Sequence, residues 1–196
     1  MSGKTPKLIL ASASPRRLDL LSQIGIIPDE VKPADINEDP IAGELPRGHA
    51  LRLAQEKASK VAGENADCII LAADTVVGVG RRILPKTETI DEARKCLELM
   101  SGRGHRVFTA VAVIKPSGDM ISRVVETRLK MKQLSAAELK HYLESKEWQG
   151  KAGGYGIQGR AGAFISNLIG SYTNVVGLPL FETRNLLTGA GYPHET

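Results

Sequence analysis

Short strand-like runs alternate with amphipathic helical segments along almost the whole chain, and this alternation restricts the fold more than any other feature of the sequence. A strand pattern at Lys7–Ala11, for example, is followed by Ser14 and Pro15, which are typical of a helix start, and by an apolar helical stripe that ends at Gly25. Strands that alternate with helices favour a sheet with helices packed against it. We therefore predict a mixed α/β fold with one elongated sheet and flanking helices.

The chain of 196 residues has no internal repeat, low-complexity tract or Ser/Pro-rich linker. Its length suits a single domain, which we place at residues 1–196 with a short disordered N-terminus of about residues 1–6. Apolar periodicity and turn residues then predict the remaining elements. In chain order these are an extended run at Ile26–Val31, a helix from Pro46 to Gly63, strands at Cys68–Ala72, Thr75–Val79 and Arg81–Leu84, a helix capped by Thr89, a hairpin of Val107–Ile114 and Met120–Met131, a helix from Ser135 through Lys146, a strand at Ala163–Ile169 and a helix from Pro179 to Leu187.

The composition excludes several classes of protein. A hydrophobic fraction of 42% and a charged fraction of 24% exclude a disordered or fibrous chain. Aromatic residues make up only 4%, which is too few for a protein that binds single-stranded nucleic acid by stacking. The net charge of +4, from 26 basic and 22 acidic residues, favours anionic ligands.

The sequence also indicates a compartment. Cys68 and Cys96 are the only cysteines and form no CxxC pair, which favours a reducing environment over a disulfide scaffold. The apolar run Leu8–Leu10 is too short for a secretory signal. The longest uncharged stretch, Ala161–Phe181, is interrupted throughout by polar residues, glycine and proline, so it is not a membrane span. We expect a cytoplasmic protein without a membrane partner.

Ser12, Ser14, Arg16 and Arg17 surround a predicted junction between a strand and a helix. Unpaired N–H groups at a helix start attract anions, and hydroxyl and guanidinium groups add further donors. The alternative is an ordinary capped surface helix with solvated arginines. Because adjacent arginines in a first turn oppose the helix dipole, anion binding is the favoured interpretation.

Asp74 comes just after the buried run Cys68–Ala72, which predicts its position at the carboxyl end of a strand. Ligands of α/β sheets bind at that edge, where a carboxylate can hold a metal or accept a proton. Glu38 lies in an acidic loop, residues 35–44, that also holds Asp35, Asp39 and Glu44, and one of these carboxylates could share a divalent cation with Asp74. Oxygen ligands of this kind suit Mg²⁺ or Mn²⁺. The alternatives are a turn aspartate that bonds its own backbone and a solvated loop.

Two lysines and a glycine-rich segment complete the set of candidates. Lys57 lies on the apolar side of its predicted helix, where lysine ordinarily extends its ammonium to solvent, and Lys86 would ordinarily be a loop charge. With the two arginines, these lysines match the positive charge that a triphosphate requires. Residues 154–159 fit G-x-G-x-x-G but follow a predicted helix rather than a strand. A flexible loop that brings Gln158 and backbone close to a ligand is favoured over a dinucleotide site.

Taken in order, these segments resemble the Maf family of nucleotide pyrophosphatases. The resemblance covers about Leu8 to Leu187, and it is specific because several motifs occur along the chain in the family's order. The motifs are LILASASPRR at 8–17, RLAQEKA at 52–58, AADTVV at 72–77, LMSG at 99–102 with HRVFT at 105–109, KAGGYGIQG at 151–159 and NVVGLPL at 174–180. In one departure, Leu84-Pro85-Lys86-Thr87 stands where the family commonly has Gly-Lys-Pro.

The resemblance implies an inosine-triphosphate-pyrophosphatase-like fold with the active site in a cleft between two lobes. It implies hydrolysis of nucleoside triphosphates to the monophosphate and pyrophosphate, with a divalent cation (Mg²⁺ or Mn²⁺) and a homodimer. The pairing of Asp74 and Thr75 with GYGIQ, which ends at Gln158, is similar to the branch that acts on dTTP and UTP. No stable complex with nucleic acid is expected.

The resemblance further implies a role for each candidate residue. Asp74 would accept the proton of the attacking water and would bind the cation together with Glu38. Arg16, Thr75 and Gln158 would bear on the choice of substrate. The phosphates would be held by Ser12, Arg17, Lys57 and Lys86.

The sequence leaves other functions open. A pyrophosphatase of the branch that acts on 7-methyl-GTP typically has a different residue after the aspartate and lacks GYGIQ, and a further variant would act on modified pyrimidine nucleotides. A non-catalytic regulator of septum formation, binding nucleotide or nucleic acid, is compatible with the positive charge. Both proposed carboxylates and the basic phosphate set are present, however, and a protein that only binds would not need them.

Overall fold

In the computed structural model, which describes residues 6–193, a seven-stranded sheet lies at the centre and six α-helices pack around it. The strands are β1 (Leu8–Leu10), β2 (Glu30–Val31), β3 (Ile69–Val79), β4 (Arg82–Leu84), β5 (Gly104–Ile114), β6 (Met120–Met131) and β7 (Ile165–Ile169). The helices are α1 (Pro15–Gln23), α2 (Pro46–Ala62), α3 (Ile90–Met100), α4 (Ala136–Glu144), α5 (Tyr172–Val176) and α6 (Leu180–Gly189). This confirms the mixed α/β prediction. The expected disordered segment, about residues 1–6, lies outside the described residues except for Pro6.

The sheet is long because three of its strands are long. Its order is β2-β1-β3-β5-β6-β7, with β4 paired to β3 as well. Strand β1 runs parallel to β2 and β3, whereas the pairs β3–β5, β5–β6 and β6–β7 are antiparallel. Because β3, β5 and β6 have 11 or 12 residues each, one continuous sheet reaches both ends of the molecule.

The first lobe is a layered core around β1 and the first half of β3. Successive strand residues point to opposite faces, so Leu71 and Ala73 face the apolar side chains of α1 and α6, whereas Ile70 and Ala72 face those of α2. Both faces of this part of the sheet are therefore buried, which explains its continuous apolar sequence.

The second lobe lies at the other end of the long strands. Its core combines Leu97 of α3 and Leu143 of α4 with Val77 and Val107 of the sheet, and with Tyr155 from the glycine-rich segment. The predicted helix starts at Thr89 and Ser135 are confirmed, because each residue forms a reciprocal capping box with a glutamate three residues later. Within residues 6–193, none of the helices combines the length and apolar character that crossing a membrane requires.

Several element boundaries differ from the predictions. Only Glu30–Val31 of the extended run Ile26–Val31 forms a strand, and α4 ends at Glu144. Strand β7 begins at Ile165 because the five preceding residues form a 3₁₀-helix, and the short helix α5 was not predicted. Ser14 is the N-cap of α1, as expected, but its side chain makes no capping bond.

The prediction that Asp74 lies at the carboxyl end of a strand is wrong. Asp74 lies inside β3, which continues to Val79 because the antiparallel partner β5 forms an unbroken ladder with it from Ile70 to Gly78. The parallel neighbour β1 does end here, with its last paired residue opposite Leu71. Asp74 therefore lies beyond the end of the neighbouring strand rather than of its own.

Candidate active site

A gap in the pairing of β3 creates a cavity. On the side away from β5, β1 pairs with β3 as far as Leu71, and β4 pairs with it only from Val77 onward. A cavity of about 340 Å³ opens at this gap, between the two lobes. The structure brings all the predicted site residues to its wall, namely Ser12, Arg16, Arg17, Glu38, Lys57, Asp74, Thr75, Lys86 and Gln158.

Asp74 and Lys57 form a buried ion pair on the α2 side of β3. Asp74 shares the strand face of Ile70 and Ala72, which packs on α2, and its side chain is only 2% exposed. The Nζ atom of Lys57 lies 2.6 Å from Asp74 Oδ1. The usual extension of a lysine into solvent does not occur here, because a buried ammonium needs a close counter-charge and Asp74 provides it.

Glu38 joins this pair from the acidic loop. Its carboxylate lies 2.5 Å from Lys57 Nζ and also pairs with Lys86. Partial burial raises the pKa of Glu38, but hydrogen bonds from the two lysines outweigh it and lower that pKa to about 2. Of the four carboxylates in this loop, Glu38 lines the cavity, whereas Asp35 and Asp39 are exposed and Glu44 is bound to Arg52.

The loop that carries Glu38 is fastened to α2 by Arg52. Its guanidinium donates two hydrogen bonds to Glu44, of 2.8 and 3.0 Å, and a third of 3.0 Å to the carbonyl oxygen of Asp39. His49 Nδ1 also lies 2.8 Å from Glu44. A bidentate pair fixes direction as well as distance, so Arg52 determines where the residue next to Glu38 lies.

The carboxylates of Glu38 and Asp74 suit a divalent cation only when a bound nucleotide supplies further oxygen atoms. Residues 6–193 contain no group of three or more His, Cys, Asp or Glu arranged to hold a metal ion. Glu38 and Asp74 nevertheless lie close enough together for both to contact the ammonium of Lys57. Because Mg²⁺ is commonly bound by one or two carboxylates plus substrate phosphates, the donor set fits a cation that arrives with a nucleotide.

On the opposite face of β3, the hydroxyl of Thr75 meets Arg17, a residue of α1. Arg17, which is 8% exposed, donates from Nε to the carbonyl oxygen of Gly177 (2.9 Å), from Nη1 to Ser12 (2.8 Å) and from Nη2 to Thr75 (3.4 Å). Desolvation lowers the pKa of Arg17, against the raising effect of the Asp74 charge. Its neighbour Arg16 is half-buried at the cavity wall, and burial lowers the pKa of Arg16 too.

The second lobe supplies the remaining wall. Lys86 forms an isolated bridge with Ala152, and Gly153 N donates to the carbonyl oxygen of Pro85 (2.9 Å). Gly153 has a φ of +67°, and a Cβ there would lie 3.1 Å from the side chain of Val77, so a residue with a side chain would be strained and would crowd Val77. This packing fixes Lys86 despite the unusual sequence around it, and Gln158 is exposed at the cavity edge.

Sequence reasoning missed two residues of this wall. Lys151 lines the cavity, where desolvation and, to a smaller extent, the Arg16 charge lower its pKa. Tyr155 is held by a 2.6 Å hydrogen bond to His105 Nε2. Both residues belong to the motif KAGGYGIQG at 151–159. A lysine and a tyrosine among four glycines could have indicated that these two side chains also face the ligand.

Fold and site together define an inosine-triphosphate-pyrophosphatase-like α/β protein with a basic cavity between its lobes. A HAM1 protein from Coxiella burnetii shares the fold, with a TM-score of 0.51 and 15% identity over 94% of this chain and 100% of that one. The sequence profile of the family described as Maf-like protein matches residues 7–190, so this chain belongs to the Maf-like family.

Relatives of high identity extend along nearly the whole chain. A dTTP/UTP pyrophosphatase from Maricaulis maris is 66% identical over 188 residues, which cover 96% of this chain and 90% of the relative. A dTTP/UTP pyrophosphatase from Caulobacter vibrioides is 60% identical over 187 residues, covering 95% and 97%. These matches agree with the family and the branch expected from the motifs.

Proposed function

We propose that this protein hydrolyses dTTP and UTP to the nucleoside monophosphate and pyrophosphate. The observation that carries the proposal is the buried Asp74–Lys57 pair, in a cavity whose wall also bears Arg16, Arg17 and Lys86. A carboxylate able to accept a proton thus lies among groups that neutralise phosphate. The activity named for the relatives from Maricaulis and Caulobacter supports the reaction and the substrate class.

Asp74 acts in this proposal as the general base. Lys57 bonds to Oδ1 and keeps the carboxylate oriented, and Oδ2 accepts the proton of the attacking water. Water attack on the α-phosphorus breaks its bond to the oxygen that bridges to the β-phosphorus, and that oxygen leaves with pyrophosphate.

The cationic wall serves the leaving group. Negative charge develops on pyrophosphate as the bond breaks, and preformed positive groups lower the barrier most where that charge appears. Arg16, Lys86 and Lys151 line the cavity, and Arg17 is held in place by Ser12 and by the Gly177 carbonyl. A divalent cation, held by the two carboxylates together with the phosphates, would add Lewis-acid neutralisation.

Thr75 and Gln158, which both line the cavity, would select the nucleobase of the substrate. Uracil and thymine present two carbonyl acceptors and one N–H donor. The Gln158 amide has both a donor and an acceptor, so it can match that edge. Such a site disfavours a base with the opposite pattern, because donors would then face donors and acceptors would face acceptors.

The test is pyrophosphate release from a panel of common, modified and 7-methylated nucleoside triphosphates, with Mg²⁺ or Mn²⁺. We expect dTTP and UTP to be the preferred substrates by kcat/KM. Preference for 7-methyl-GTP would keep the catalytic centre but contradict the assignment of the base-selecting residues. Absence of turnover on every nucleotide would contradict the proposed function. The homodimer and the cytoplasmic location stay predictions, and light scattering tests the first of them.

A further inference from the structure

A buried threonine side chain and a buried backbone carbonyl lie in line behind Thr75. Thr109 is the residue of β5 that pairs with Thr75 of β3, and the two hydroxyl oxygens are 2.9 Å apart. Thr109 in turn contacts the backbone carbonyl of Asn174, with 2.8 Å between the oxygens. Thr109 and Asn174 are both fully buried, whereas Thr75 is partly exposed and lines the cavity.

This arrangement fixes the direction of each hydrogen bond. A carbonyl oxygen only accepts, so the single hydroxyl hydrogen of Thr109 must point to Asn174. Thr109 then has only lone pairs left for its neighbour, and the bond between the threonines must be donated by Thr75. The one hydrogen of Thr75 is therefore directed into the protein, away from the cavity.

Toward the cavity, Thr75 Oγ1 consequently presents lone pairs alone. Arg17 Nη2, which can only donate, approaches the same oxygen at 3.4 Å, so Thr75 Oγ1 acts as an acceptor toward Arg17 too. The open approach is maintained by Gly177, where a Cβ would come within 3.5 Å of Thr75 Oγ1. A ligand that meets this hydroxyl must therefore bring a donor.

The acceptor that orients Thr109 is itself held firmly. The Asn174 side chain donates to the carbonyl oxygen of Val107 (3.2 Å) and to Thr127 (2.9 Å), and its backbone N–H is capped by Ser171. The carbonyl of Asn174 thus cannot turn away without breaking several buried bonds, each of which would leave an unpaired group.

We propose that Thr109, acting through Thr75, is a positioning residue for base selection: it makes Thr75 an acceptor that reads an N–H donor of the substrate's base. The proposal rests on the proposed function and deepens it. Uracil and thymine carry a hydrogen on N3, whereas cytosine presents a lone pair at the same atom. An acceptor-only hydroxyl thus favours UTP over CTP, although the two nucleotides have the same size and charge.

The test compares kcat/KM for UTP and CTP in wild-type protein and in Thr109→Val. The valine removes the acceptor for the Thr75 hydrogen, which is then free to turn toward the cavity and donate to N3 of cytosine. We expect the UTP-to-CTP ratio to fall about tenfold or more, with part of the change from better use of CTP. Thr109→Ser keeps the hydroxyl and is expected to keep the ratio within about twofold of wild type.

Thr183→Val is the matched control. Thr183 is also fully buried, but its hydroxyl has no hydrogen-bond partner in the described structure and it lies on α6. It should leave the ratio unchanged, and thermal unfolding confirms that each variant is folded. If neither Thr109→Val nor Thr109→Ala folds, Thr75→Val replaces them and should abolish the preference for UTP.

The outcomes separate the inference from the proposed function. Turnover with an unchanged ratio in folded Thr109→Val, or a preference retained in Thr75→Val, overturns the inference alone. A change in the ratio of UTP to its 2′-deoxy analogue, without a change against CTP, would assign the donor to the ribose and overturn it too. Failure of the wild-type protein to hydrolyse any nucleotide overturns both.

Discussion

Asp74 and Thr75 are neighbours in one strand, yet they work in opposite surroundings. Asp74 faces α2, where its partner is a charged lysine that it shares with Glu38. Thr75 faces the other side, where its partners are a buried threonine and one weakly approaching arginine. The alternation of a strand thus gives one cavity a charged wall and a wall of directed neutral hydrogen bonds. In this account Asp74 on the first wall activates the attacking water, Thr75 on the second wall selects the nucleobase, and Arg17 beside Thr75 binds phosphate.

Lys57→Met should give the largest combined loss of activity and stability, because it removes the buried positive charge beside Asp74. Asp74 would be left without its buried counter-ion, whereas Glu38 keeps Lys86, and breaking a buried pair costs about 3 kcal/mol or more. We expect kcat to fall more than about a hundredfold and the free energy of unfolding to fall by that amount, as measured by urea denaturation. The exposed Lys60→Met on the same helix is the control. Unchanged activity in Lys57→Met would show that the reaction does not use this wall.

Arg52→Met should give an intermediate effect, because Arg52 holds the Glu38 loop without touching the cavity wall. We expect kcat/KM to fall about tenfold, in line with loss of a charge-assisted bidentate pair. In a double-mutant cycle with Glu38→Gln, the two losses should be far from additive. Glu56→Gln, which removes only the exposed partner of Arg52, is the control. Additive losses would mean that Arg52 acts independently of Glu38.

The smallest effect on activity is expected from His105→Gln, because His105 only supports Tyr155 at the cavity wall. Burial lowers the pKa of His105 from 6.5 to about 4, so the unfolded chain takes up the proton first as the pH falls. Stability should therefore decline between about pH 6.5 and 4, by at most about 3 kcal/mol. The decline from Glu38 should follow at lower pH, between 4.5 and about 2, because its carboxylate is protonated later in the folded protein than in the unfolded chain.

Urea denaturation of the wild type and of His105→Gln at several pH values separates the decline in stability caused by His105 from the decline caused by Glu38. The variant should lack the decline above pH 4 and should keep the decline at lower pH. A decline of equal size in both proteins would assign the pH dependence to other groups.

The sequence was sufficient for the α/β class, for the principal helices and for most of the polar residues that meet at the cavity, although Lys151 and Tyr155 were missed. Local patterns succeed there because caps, turns and apolar periods act over a few residues. The position of Asp74 inside β3 was missed, because the length of a strand depends on its partner: β5 extends the ladder past Asp74. The same holds for Lys57, whose burial depends on a carboxylate 17 residues away.

The directed hydrogen bonds behind Thr75 were beyond the reach of the sequence. Thr109 and Asn174 are 65 residues apart, and only the register of β3 and β5 together with the placement of α5 brings them into line. A threonine within the apolar run Val107–Ile114 was the visible signal. It indicates a buried hydroxyl that needs a partner, but not which partner or in which direction the hydrogen points.

The most direct measurement of the central claim is pyrophosphate release from UTP by Asp74→Asn, with Asp19→Asn on the exposed side of α1 as control. Asparagine keeps the shape of the side chain but cannot accept the proton of the attacking water, and Lys57 keeps Glu38 as its counter-ion. We expect turnover to fall by about a thousandfold or more while the protein stays folded. Wild-type turnover in folded Asp74→Asn would contradict the account, because the general base would then lie elsewhere.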